Sequence, residues 1–170
     1  MRSKKMIPWI LMLLAITALR SEKLVAAGES EGAVRANHPI GAYLSLWGDP
    51  FPALWGINAA YNVYDFFRLN AGVGTDSTDR ITATTFGVGG KLFVPGWALS
   101  PTVGLNWSID NLSQNNTVDI RGLRHGGNRL YGNVGLDWQT TIGLNLGIGY
   151  IQSFASNGGG SGYVSAGFFL

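Results

Sequence analysis

The chain has 170 residues, enough for one ordinary domain, yet only 13% of them are Asp, Glu, Lys or Arg, about half of the roughly 25% usual in soluble domains. It contains no cysteine, which excludes a disulfide framework, a thiolate metal site and a lipid-modified cysteine. The formal charge of +2 is concentrated near the amino terminus, and a nucleic-acid-binding role loses its support once that end is set aside.

Arg2, Lys4 and Lys5 precede an apolar run over residues 6–19, broken only by Pro8 and Thr17. This is the pattern of a secretory signal, and the run is too short to cross a bilayer comfortably. A small-residue site at Val25-Ala26-Ala27 places cleavage after Ala27, with Ala18 as the alternative. Residues 1–27 are therefore read as a signal peptide. The remainder carries seven basic and nine acidic side chains. Residues 28–38 (GESEGAVRANH) are polar and predict a loose periplasmic lead-in.

From residue 39 to 170, period-two segments alternate with turn signals, the all-β pattern. The segments fall at residues 40–47, 54–64, 66–75, 81–94, 97–108, 130–139, 142–151 and 162–170. Eight is an even number, as a closed membrane barrel of one bacterial chain requires. Connections at 64–65, 95–96 and 140–141 are tight, whereas those at 48–53, 76–80, 110–129 and 152–161 are longer. Short turns at one end and long loops at the other predict an eight-stranded antiparallel up-and-down transmembrane β-barrel with both termini in the periplasm.

The fifth segment, WALSPTVGLNWS, shows why. Trp97, Leu99, Pro101, Val103, Leu105 and Trp107 share an apolar face, and the opposite face is small, polar and uncharged. Ten steps of extended chain span roughly 33 Å. At a tilt of about 40° this projects to roughly 25 Å, the height of the apolar band on such barrels. Tryptophans suit its edges, apolar in body and polar at the N–H. The predicted aromatic girdle is Trp55, Phe67, Trp97, Trp107, Trp138, Tyr150 and Phe168. Pro101 cannot donate to a ladder, so a bulge or break is expected there. The opposite orientation, a soluble secreted β-barrel or sandwich with its apolar face inward, would need a charged outer surface that these strands lack.

These residues resemble the small eight-stranded outer-membrane barrels, the OmpA-like and OmpX-like group. The terminal GYVSAGFFL looks like the signal such proteins present to the barrel-assembly machinery, although it ends in Leu170 and not in an aromatic residue. The resemblance implies insertion from the periplasm and a role in adhesion, envelope stability or small-ligand binding, with outer-membrane lipid and lipopolysaccharide as surroundings. A monomer is expected.

A barrel of eight strands is filled by its own side chains, so no large pore is expected. Tyr64, Phe66, Arg68, Lys91, Phe93, Asp137 and Phe169 are predicted inward near the periplasmic end, with glycines 56, 72, 74, 87, 89, 104, 147 and 149 above them. Either the glycines leave a cup open to the outside, lined by Asn58, Asn70, Asn106, Asn133 and Asn145, or they relieve crowding in a tightly curved sheet. Arg68, Lys91 and Asp137 form the expected lumen charge cluster, Asp137 pairing with one of the two cations because a buried charge needs a partner. The longest loop holds Arg121, Arg124, His125 and Arg129, whose guanidinium forks suit phosphate groups of lipopolysaccharide. A lipid-A-modifying enzyme is the alternative and would use His125, since a histidine beside a serine and a carboxylate is what that chemistry needs. No metal-ligand spacing, phosphate loop or nucleotide fingerprint occurs, so no cofactor is expected.

Overall fold

The computed structural model describes residues 33–48, 53–77, 82–112, 118–120, 123–125, 127–155 and 159–170. Alternation decides the elements. Along β2 (Trp55–Tyr64) exposure and burial change at nearly every step, with Trp55, Ile57, Ala59 and Tyr61 outward and Gly56, Asn58, Ala60 and Asn62 inward. The other barrel strands are β1 (Ile40–Leu46), β3 (Phe67–Ser77), β4 (Thr82–Phe93), β5 (Leu99–Leu112), β8 (Gly127–Gln139), β9 (Leu144–Ser153) and β10 (Gly160–Phe169). They close in the order β1-β10-β9-β8-β5-β4-β3-β2, each antiparallel to its neighbours. Closure removes free sheet edges, which a barrel must do to satisfy every backbone group.

The expected fold class is therefore the observed one. Several local expectations need correction. The longest connection carries its own hairpin, β6 (Val118–Ile120) with β7 (Leu123–His125). β3, β5 and β8 run further toward the long-loop end than their period-two segments, to Ser77, to Leu112 and from Gly127. Pro101 causes no break: it pairs in register with Leu136 of β8. The β4–β5 ladder stops one residue away, at Phe93↔Thr102, and the Ser100 hydroxyl accepts from Val94 N–H at 2.7 Å.

The register shift falls instead between Asn62 and Tyr64 in the β2–β3 ladder. One extra residue there reverses the sides. Tyr64, expected inward, is exposed for this reason, and Phe66, also expected inward, is exposed because it lies in the β2–β3 turn; the two rings stack with centroids 5.3 Å apart.

The outer surface is apolar. Leu105 is 53% exposed beside Asn106 at 1%. Trp55, Trp107 and Tyr150 lie toward the long-loop end, and Trp97, Trp138 and Phe168 toward the short-turn end, all exposed. Phe67 is half-buried because its ring lies over Gly90.

Candidate functional site

Among the described residues the interior of the barrel is its lumen, and glycine shapes it. Gly72, Gly89 and Gly104 face the amides of Asn58, Asn106 and Asn133 on adjacent strands, in the space a β-carbon would need. Gly135 lies against the Tyr163 hydroxyl, and Gly149 against that hydroxyl and the ring carbon that bears it. Tyr131, Ile151 and Tyr163 form one buried cluster, and Tyr43, Ala60 and Phe169 another. Side chains of neighbouring strands thus lie in the room that these glycines leave. Trp47 takes no part, being exposed at a left-handed φ of 66° where β1 ends.

All five predicted asparagines point inward and are buried. Asn58 donates to Ser45 Oγ at 3.0 Å, Asn70 to Tyr43 Oη at 3.3 Å and Asn145 to Asp137 Oδ1 at 2.8 Å. Neither amide atom of Asn106 has a partner within the protein, nor has the Thr102 hydroxyl.

The floor carries the charges. Asp137 pairs through Oδ2 with Arg68 Nη1 at 3.2 Å. Its other oxygen pairs with Arg35 Nη2 at 3.3 Å. Arg68 also donates to Asn62 Oδ1 at 2.8 Å and Gln139 Oε1 at 2.9 Å. The two guanidinium groups stack on Phe93, and Arg68 on Phe169 as well, at 4.3–4.8 Å from the ring centroids. Such cation–π contacts, with each Nη of the fork given an acceptor, are what make a desolvated guanidinium tolerable. Lys91, paired in register with Arg68, sits over the Tyr163 ring at 5.5 Å.

Arg35 was not among the predicted site residues. It belongs to the segment read as a loose lead-in, yet it is fully buried. Its Nη1 donates to Trp97 O at 2.7 Å, and its Nη2 to Ala98 O and Asp137 O, both at 3.3 Å. Burial pulls its proton affinity below the ordinary value, with the Asp137 carboxylate the main opposing influence. Asp65 joins the same construction, accepting from Arg35 N–H at 3.1 Å and from Gly96 N–H.

Two further inward acids stand where the sequence predicts loops. Asp76 on β3 and Asp110 on β5 are buried, and Asp110 accepts from Thr85 Oγ1 at 2.9 Å. Arg129 lies on β8. Arg121 falls outside the described residues, as do the side chains of Arg124 and His125 on β7. His38 donates from Nε2 to Thr141 O at 2.8 Å, at the short-turn end.

Fold and lumen together define a small, closed, eight-stranded antiparallel barrel, apolar outside and polar within, the architecture that the sequence resembles. No family model and no curated protein matches this sequence. Two solved structures similar to it are the Yersinia pestis outer membrane protein Ail (9% identity, TM-score 0.49, 78% of this chain and 99% of that one) and the outer membrane enzyme PagL (12% identity, TM-score 0.42, 77% and 99%).

Proposed function

We propose that the protein is an integral outer-membrane β-barrel with a structural or surface-interaction role and no large open pore. The observation that carries this reading is the outer face: apolar side chains of every barrel strand stand exposed while their polar neighbours are buried. Water would penalise such a surface at about 25 cal/mol per Å² of apolar area, whereas hydrocarbon accepts it. A filled lumen supports the structural or surface role over transport.

Past Ile109 on β5 and Leu130 on β8 the outward positions turn polar, with Asn111 and Asn128 both exposed, as expected where strands leave the bilayer on the outer side. Arg121, Arg124 and His125 lie in the connection between β5 and β8 and are the groups proposed to contact lipopolysaccharide phosphates, whereas Arg129, expected with them, stands opposite buried Ser108 on β8 with its Nε buried. β10, closing the ring against β1, is the strand proposed to engage the barrel-assembly machinery.

The test is fractionation followed by electrophoresis with and without boiling. The protein should partition with outer membranes and migrate faster unboiled. Recovery as a soluble periplasmic protein would refute the reading. For the loop, deleting residues 113–126 should weaken salt-sensitive lipopolysaccharide binding; an unchanged affinity would remove that role.

A further inference from the structure

We propose that residues 34–38 form a stopper for the periplasmic mouth, which shuts off from solvent the few waters that the polar side chains filling the lumen above it require. The inference rests on the membrane reading above only for the name of the mouth; the closure itself is internal to the protein.

The segment touches all three short turns. His38 reaches the β8–β9 turn through Thr141 O. Arg35 N–H reaches the β2–β3 turn at Asp65 Oδ1. The Arg35 guanidinium reaches the β4–β5 turn at Trp97 O and Ala98 O. The chain is anchored on the near side by Asn62, which donates from its backbone to Pro39 O at 2.7 Å and from its side chain to His38 O at 2.8 Å. From that anchor Arg35 passes inward to Asp137, with Phe93 beneath it. A tail held by backbone pairing alone would need none of these contacts.

The material above the stopper is polar and incompletely paired. Asn106 has both amide atoms unpaired within the protein, Thr102 its hydroxyl, and Asn58 and Asn70 their carbonyl oxygens. All four are more than nine-tenths buried. Buried amides without partners are costly, and water is the partner small enough to reach them. Water must then enter the lumen, and the short-turn mouth is where the barrel has spent a separate piece of chain on closure. Arg35 is held by ionic and hydrogen bonds and by no covalent tie, so its withdrawal is a local opening and leaves the β-ladders intact.

The absence of cysteine allows a clean test. Thr102→Cys places one thiol in the lumen, two residues inward of Ser100. Its reaction with a small water-soluble methanethiosulfonate is followed in lipid vesicles, with folding verified by the unboiled gel shift. In the otherwise unchanged protein the reaction should be slow. Arg35→Ala should accelerate it at least about tenfold, the equivalent of losing one charge-assisted hydrogen bond. Asp65→Ala, which frees the outer anchor and leaves the Asp137 pair, should accelerate it by less. Should Arg35→Ala not fold, the Asp65→Ala comparison decides. Equal rates with and without the substitution, both fast or both slow, would overturn the stopper. A barrel that fails the gel-shift test in wild type overturns the membrane reading instead, so the two failures are told apart.

Discussion

Asp137 is the residue on which the floor depends. It is buried and answers two guanidinium groups, one per oxygen, with Asn145 sharing Oδ1. Removing one partner of a buried ionic cluster costs more than the cluster contributes, because the remaining charges lose their compensation. Asp137→Ala should therefore destabilise the barrel by about 3–5 kcal/mol, read as a lower urea midpoint for unfolding from lipid vesicles. Replacing Arg68 and Asp137 together by leucine should cost less than Asp137→Ala, since fewer charges are stranded. A double variant weaker than the single one would mean that Arg68 is held by Phe93, Phe169 and Gln139 and scarcely by the carboxylate.

Between strands the unit of packing is an amide or a ring laid over a glycine. A β-carbon on Gly89 would meet the Asn106 amide and, at 2.9 Å, the Leu105 carbonyl. Gly89→Ala should therefore cost about 1–3 kcal/mol, the usual penalty of overpacking. Adding Asn106→Gly should recover part of that loss and leave the share due to backbone. At Gly162 the nearest atom lies 3.7 Å away, so Gly162→Ala should stay within about 0.5 kcal/mol of wild type. Equal losses at the two sites in the same unfolding assay would discount the packing account.

These strands also show what sequence can and cannot disclose. The face of each residue follows from the two-residue repeat of extended backbone, so Asn58, Asn70, Asn106, Asn133 and Asn145 were legible as lumen residues. Strand ends were not, because Asp76, Asp110 and Asn111 are turn-forming residues whose membership of a ladder depends on a neighbour such as Thr85. A single bulge beside Asn62 was enough to misplace Tyr64, and Phe66 was misplaced because it sits in the turn and not in the strand. Arg35 was illegible for another reason: its partners are 30 to 102 residues away, and nothing in GAVRANH marks a plug.

For the molecule as a whole, orientation is the physical choice from which the rest follows. A closed sheet has two surfaces, and neighbours in one strand sample both. Leu105 and Asn106 are such a pair, on β5 where it is flanked by β4 and β8. Single cysteines at these positions, carrying an environment-sensitive dye in lipid vesicles, should report opposite surroundings. The Leu105 probe should emit at shorter wavelength and be quenched by nitroxide-labelled lipid. The Asn106 probe should show neither effect. Charge provides an independent check on the same face. Leu105→Arg should cost about 2–4 kcal/mol in lipid, the penalty for a guanidinium near the midplane of a barrel's outer surface. An arginine tolerated there, together with a lipid-quenched probe at Asn106, would require a water-facing exterior, and the apolar ring of Trp55, Trp107, Trp138 and Phe168 would then need another explanation.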